Sequence, residues 1–148
     1  MPLGDATLRQ YERAYGPFVH MSQEEKAIWL RFLQQGGTMY APFHYDVRVG
    51  DGLQMPPGSS SYEIKSARAL TTKRIDVLFF DRILPVVVEV KRRAGLGVIG
   101  QLIGYRDLFL KDQTTFEIAA MLLVTDELQP DLAGILEQQG IRYVIVDQ

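Results

Sequence analysis

Apolar positions along this chain follow two spacings, and the switches between them outline the fold. From Ser22 to Gln35 the spacing is helical: Met21, Ile28, Trp29, Phe32 and Leu33 make one stripe. Ser22 with Glu25 reads as a capping box at the start, and Gly36-Gly37 stops the helix. Thr38 to Val49 alternates and predicts a first strand, with Tyr45, Val47 and Val49 on one face and Pro42 placing its start at an edge. Gly50 to Ser61 (GDGLQMPPGSSS) is a loop rich in glycine, proline and serine, and Tyr62 to Thr72 either extends the sheet or wanders towards the next strand. Arg74 to Phe80 and Pro85 to Lys91 are then two strongly apolar strands, joined by a turn over Asp81–Leu84. Runs this apolar belong to strands covered on both faces.

The second half alternates helix and strand. Val98, Leu102, Tyr105, Leu108 and Phe109 predict a helix over 95–112, in which Gly97, Gly100 and Gly104 are expected to allow close packing on the sheet. Phe116 to Thr125 is a strand, Asp131 to Gln139 a helix closed by Gly140, and Ile141 to Val146 a last strand. Strand–helix–strand succession implies crossovers and parallel pairing. The expected architecture is α/β: a central mixed sheet flanked by helices, in the order helix, three-strand meander, helix, strand, helix, strand. One domain is expected over 1–148, with an N-terminal arm over 1–20, a core over 22–125 and a helix–strand extension over 126–148. In the arm, Leu8, Tyr11 and Tyr15 form one face of a short helix ended by Gly16-Pro17.

Composition narrows the function classes. The 148 residues suffice for one compact core. The absence of cysteine excludes disulfides and thiolate metal sites. No apolar run is long enough to cross a bilayer, and MPLGDATLRQ has no basic-then-apolar leader pattern, so no membrane association and a cytoplasmic location are expected. The net charge of −2 provides no global field for a polyanion. Positive charge is local, in Lys65, Arg68, Lys73 and Arg74, and again in Lys91, Arg92 and Arg93. Solvated strand ends are the plainest explanation of both clusters. The glycine-rich loop has neither GxxxxGK[ST] nor GxGxxG, so it is not a phosphate cradle of either kind.

The chemistry concentrates in RIDVLFFDRILPVVVEVK, residues 74–91. Asp76, Glu89 and Lys91 stand where core packing alone would not want charge, and a buried carboxylate is costly unless it is paired or holds a cation. Pairing Phe80 with Pro85 across the turn sets Asp76 opposite Glu89, on the face that Glu89 shares with Lys91. Two carboxylates suit magnesium or manganese, and a lysine beside them can position a water or take its proton. Glu25 falls on the apolar stripe of its helix and is an additional candidate, although its capping role already accounts for it.

Ile75-Asp76-Val77, a short gap, then Glu89-Val90-Lys91 resembles the core of the PD-(D/E)XK nuclease superfamily. Gln101-Leu-Ile-Gly-Tyr105 is similar to the QxxxY signature of its RecB-like branch, and Gln101 and Tyr105 lie one helical turn apart on one face. The resemblance covers about residues 22–125. It implies a restriction-endonuclease-like αβββαβ core and magnesium- or manganese-dependent hydrolysis of DNA, with RNA not excluded. Asp76, Glu89 and the Val90 carbonyl would ligate the metal, Lys91 would handle the attacking water, and Gln101 and Tyr105 would hold the phosphate or the water. Lys73, Arg74, Arg92 and Arg93 are the expected nucleic-acid contacts. A homodimer or larger homo-oligomer is expected if both strands of a duplex are cut, since one chain carries one site. Ile75 stands where the superfamily often has proline, and neither His20 nor His44 matches the branch's helix histidine. The alternative expectation is a nuclease-fold subunit that binds DNA or assembles without cutting.

Overall fold

The computed structural model describes residues 4–52 and 54–147. Residues 1–3 of the expected arm and Leu53 of the expected loop lie outside the described residues. The elements in chain order are α1 (Asp5–Tyr15), α2 (Gln23–Gln34), a 3-10 turn (Gly37–Tyr40), β1 (His44–Val49), α3 (Ser61–Thr71), β2 (Lys73–Asp81), β3 (Leu84–Lys91), α4 (Gly97–Asp112), β4 (Ala120–Thr125), α5 (Leu132–Gln138) and β5 (Ile141–Ile145). They form one five-stranded mixed sheet in the order β1-β2-β3-β4-β5. The first two pairings are antiparallel and the last two parallel. This is the α/β architecture the periodicity predicts. No helix among the described residues is long and apolar enough to cross a membrane.

Two apolar layers sandwich the sheet. On one face Ile28, Trp29 and Phe32 of α2 meet Val77, Phe79, Val86, Val88, Val90 and Val124. On the other, Val98, Leu102 and Phe109 of α4 and Leu132 and Leu136 of α5 meet Leu78, Val87, Met121 and Leu123. The central strands are buried from both sides, which is why they read as continuous apolar runs. Each large side chain removed from water there is worth about 1.5–3 kcal/mol. A polar strut joins three elements within the first layer. Trp29 Nε1 donates to the Tyr45 hydroxyl (3.0 Å), and that hydroxyl donates to the Tyr15 carbonyl (2.7 Å).

The β2–β3 hairpin has the expected register, with Phe80 opposite Pro85 and Val77 opposite Val88. Four local expectations are corrected. The first strand starts at His44, not Thr38, because 37–40 form a 3-10 turn tucked under α2, where a side chain at Gly37 would collide with the Phe32 ring. Residues 61–71 are helical: Ser60 and Glu63 form a second capping box, and the helix is exposed along most of its length. The glycines of α4 do not serve close packing, since a Cβ added at Gly97, Gly100 or Gly104 meets nothing within 4 Å.

The fourth correction concerns the faces of β1. Tyr45 joins the α2-side layer, whereas Val47 and Val49 join the α4-side layer. Asp46 between them has φ 54°, in the left-handed region, and this breaks the two-residue alternation. The same reversal occurs on β2 at the facing rung. Ile75 lies in the α4-side layer and Val77 in the α2-side layer, with the pairs Tyr45–Val77 and Val47–Ile75 flanking Asp46 and Asp76.

The two capping boxes should differ in what they stabilise. Ser22→Ala removes a cap from a helix anchored in the core and should cost about 1 kcal/mol in urea denaturation. Ser60→Ala should leave the global midpoint unchanged and reduce only local protection in α3, read by hydrogen exchange.

Candidate active site at the parting of two strands

The site lies where β2 and β3 separate. Their paired register runs from Asp81–Leu84 up to Val77–Val88. One rung further, opposite Glu89, Asp76 replaces a backbone bond with a side-chain one: its Oδ2 accepts the Val90 N–H at 2.9 Å. In an extended strand a residue's N–H and C=O face the same edge, so the Val90 carbonyl points into the same gap. The face reversal at the Asp46/Asp76 rung leaves the Asp76 side chain directed along the sheet towards β3.

Glu89 follows the alternation of β3 on to the α4 side and is 7% exposed. Its Oε2 is buried with no hydrogen-bond partner among the described residues. An orphaned, buried carboxylate oxygen is expensive. Burial pushes the Asp76 carboxyl up to about 6, with the Val90 N–H pulling it partly back and the Glu25 charge adding to the rise. Glu89 is pushed further, to about 9, by burial first and by the Asp76 charge second, and Lys91 offsets part of this. The two carboxyl groups can hydrogen bond to each other only if one of them carries a proton. As anions they leave Oε2 without a partner and repel each other.

The remaining expected residues gather around this pair to different degrees. The Lys91 charge acts on both acids, yet no carboxylate among the described residues lies within 4 Å of its Nζ, and the residue is exposed. No Glu89–Lys91 ion pair therefore accounts for the buried acid. Gln101 and Tyr105 are half-buried and lie one turn apart on α4. Burial and then the Glu89 and Asp76 charges raise the Tyr105 hydroxyl, which places that ring beside the acids. Glu25 completes its capping box, with Ser22 N donating to Glu25 Oε1 at 2.8 Å and Glu25 N donating to Ser22 Oγ at 3.1 Å. Its charge nevertheless reaches both acids. No three His, Cys, Asp or Glu among the described residues converge as a ligand set, so the protein's donors to a cation would be two carboxylates and a backbone carbonyl. That oxygen-only set fits a hard cation that keeps waters, and the orphaned Oε2 supplies a vacant donor.

The four residues expected to contact nucleic acid are engaged differently. Lys73 is exposed at the start of β2. Arg74 contacts His20 and lies 3.6 Å from Asp46, which itself lies 3.2 Å from His20. Arg92 faces Glu24 and Asp126, and Arg93 Nε lies 3.3 Å from Glu127. Three of the four thus already face a carboxylate. Sequence reasoning missed the role of Asp46, a left-handed aspartate that no periodicity announces. A cavity of about 570 Å³ opens at the hairpin end of the sheet, between Phe32, Tyr40, Phe79, Val86 and Tyr143, and none of the candidate catalytic residues lines it.

Comparison with known proteins supports the fold. The chain is similar to the crystal structure of a repair endonuclease from Pyrococcus abyssi, at 18% identity and a TM-score of 0.50, over 87% of this chain and 50% of that one. A structure titled as an EndoMS–dsDNA complex matches at 18% identity and a TM-score of 0.49, over 88% of this chain and 49% of that one. The chain therefore spans about half the length of these solved structures. No protein-family model matches it, and no curated protein does. The mixed five-stranded sheet flanked by helices is an endonuclease-like α/β fold.

The buried acids carry a pH signature. In the unfolded chain they titrate near 3.8 and 4.5, and in the folded chain near 6 and 9. Between those limits the folded state binds more protons, so stability must fall as pH rises. In chelator, the unfolding free energy from urea titrations should drop from about pH 4 to about pH 9, by an amount on the order of several kcal/mol. Asp76→Asn/Glu89→Gln should flatten that drop; an identical pH profile for the two proteins would contradict the shifted acids.

Proposed function

We propose that the chain is a metal-dependent nuclease of the PD-(D/E)XK type, hydrolysing DNA phosphodiester bonds, with Gln101 and Tyr105 as its QxxxY pair. One observation carries this reading. A buried and a half-buried carboxylate lie side by side at an interrupted ladder, and one oxygen of the buried one has no partner among the described residues. Packing gains nothing from that arrangement, whereas a divalent cation would repay it. The endonuclease-like fold supports the same reading.

Asp76, Glu89 and the Val90 carbonyl would hold magnesium or manganese. When bound, such an ion neutralises the acids, polarises a phosphoryl oxygen and acidifies a water. The chain's own groups do the rest. The Val90 N–H fixes the Asp76 carboxylate in orientation. Lys91, exposed and acting by its charge on both acids, positions the attacking water. The Gln101 amide and Tyr105 hydroxyl donate to a phosphate oxygen or to that water. Glu25 stays on its cap and adds negative charge that strengthens the demand for a cation. Cleavage of both strands of a duplex requires a symmetric pair of chains, because each contributes one such site.

Assays on labelled duplex DNA, single-stranded DNA and RNA test this reading. Wild type should cut DNA with magnesium or manganese and not in chelator. Lys91→Ala should slow cutting by about 10²–10⁴-fold while DNA binding persists. DNA binding by wild type and Lys91→Ala alike, with no substrate cut under any metal, would leave a binding subunit instead. Independently, magnesium should raise the thermal midpoint of wild type and not of Glu89→Gln, because only a folded site with both acids binds it.

A further inference from the structure

Beside the strand carrying Asp76 lies a second recess, of about 350 Å³, lined by Arg48, Gly50, Lys65, Arg68, Thr72 and Asp112. Three cations from two elements converge on it: Arg48 from β1, and Lys65 and Arg68 one helical turn apart on α3. None of the three lies within 4 Å of a carboxylate among the described residues, in contrast to Arg74, Arg92 and Arg93. The one acid in the lining, Asp112, accepts the Gly50 N–H through Oδ2 at 2.8 Å and pins the loop after β1 to the end of α4, and the three cations outnumber it. Asp51 lines the adjoining recess with Arg68, outside this one. Gly52 presses against Thr71, where an added Cβ would lie 2.6 Å from Oγ1, so the loop is held down on the end of α3. The lining keeps an excess of positive charge around one concavity, and an anion seated among the three cations relieves their repulsion.

We propose that this recess binds a backbone phosphate of the polynucleotide, flanking the phosphate at Asp76 and Glu89. The proposal rests on the nuclease reading for its choice of polyanion. The strand ladder supports it: Arg48 pairs with Arg74, two residues from Asp76 along β2. Two residues of strand and one strand spacing put Arg48 on the order of 10 Å from Asp76. That distance is on the scale of the spacing between phosphates one or two nucleotides apart on a strand. Three cations on an exposed helix and a strand end contact phosphate without reading bases, so the site sets register and strand path and is indifferent to sequence.

The test is the salt dependence of DNA binding in chelator, where nothing is cut, followed by fluorescence anisotropy of a short labelled duplex. The slope of log affinity against log salt should become shallower by about one in Arg48→Gln/Lys65→Gln/Arg68→Gln, because a single lost phosphate contact removes about 0.9. The charge-conserving Arg48→Lys/Lys65→Arg/Arg68→Lys should restore it, and Arg142→Gln, on the far edge strand, should leave it unchanged. Equal slopes in wild type and the neutralised variant overturn the proposal, as does a slope that the charge-conserving variant fails to restore or a wild type that binds no DNA. Magnesium-dependent cutting, assayed on the same proteins, separates the two readings. Equal slopes with cutting retained overturn the phosphate recess alone. A shallower slope with no cutting under any metal overturns the nuclease reading alone.

Discussion

The interaction on which the site depends is a substitution: at the rung where the β2–β3 ladder would continue, the Asp76 carboxylate takes the Val90 N–H in place of a backbone carbonyl. That single bond does three things. It satisfies a buried donor that the parting of the strands would otherwise orphan. It locks one acid in orientation along the sheet. It also leaves the gap open to the Val90 carbonyl and the neighbouring Glu89, whose Oε2 has no partner among the described residues. Hairpin geometry, rather than any loop, therefore positions the candidate catalytic groups, and a site built on strands is held more tightly than one built on loops.

Such a site destabilises the apo-protein. Burial and mutual repulsion oppose ionisation of both acids, and the negative charge of Glu25 adds to the opposition. The surrounding packing offsets this. Val77, Val88, Val90 and Ile75 flank the acids at 0% exposure, and helices cover the sheet from both sides. The protein thus resembles a clamp whose rigid body is apolar and whose jaws hold two acids that burial and repulsion oppose. Around the jaws, Arg74, Arg92 and Arg93 are held by acids of neighbouring elements, while among the described residues Arg48, Lys65 and Arg68 have no carboxylate within 4 Å.

Much of this was legible from residue order because strands obey a two-residue period and tight turns fix register. Counting back from Phe80–Pro85 put Asp76 opposite Glu89, and the observed register agrees up to Val77–Val88. The face reversal at Asp46 and Asp76 was not legible: a left-handed aspartate leaves no trace in hydrophobic spacing, so Tyr45 was expected beside Val47 and lies on the other face. α3 carried a signal that went unused, Ser60 and Glu63 at capping-box spacing. It lacked an apolar stripe because it buries little, and it followed a proline- and glycine-rich loop. The partners of Arg92 and Arg93 could not be foreseen, since Glu24 lies 68 residues from Arg92 in sequence. The glycines of α4 were assigned to packing by default, and the space above them is open.

The most direct measurement is anomalous diffraction from crystals soaked in manganese. The account predicts one strong peak in the gap between β2 and β3, about 2.0–2.3 Å from a carboxylate oxygen of Asp76, from Glu89 Oε2 and from the Val90 carbonyl oxygen. A gap without metal, with the two carboxyl groups sharing a proton across it, would contradict the account; so would a peak held by other residues.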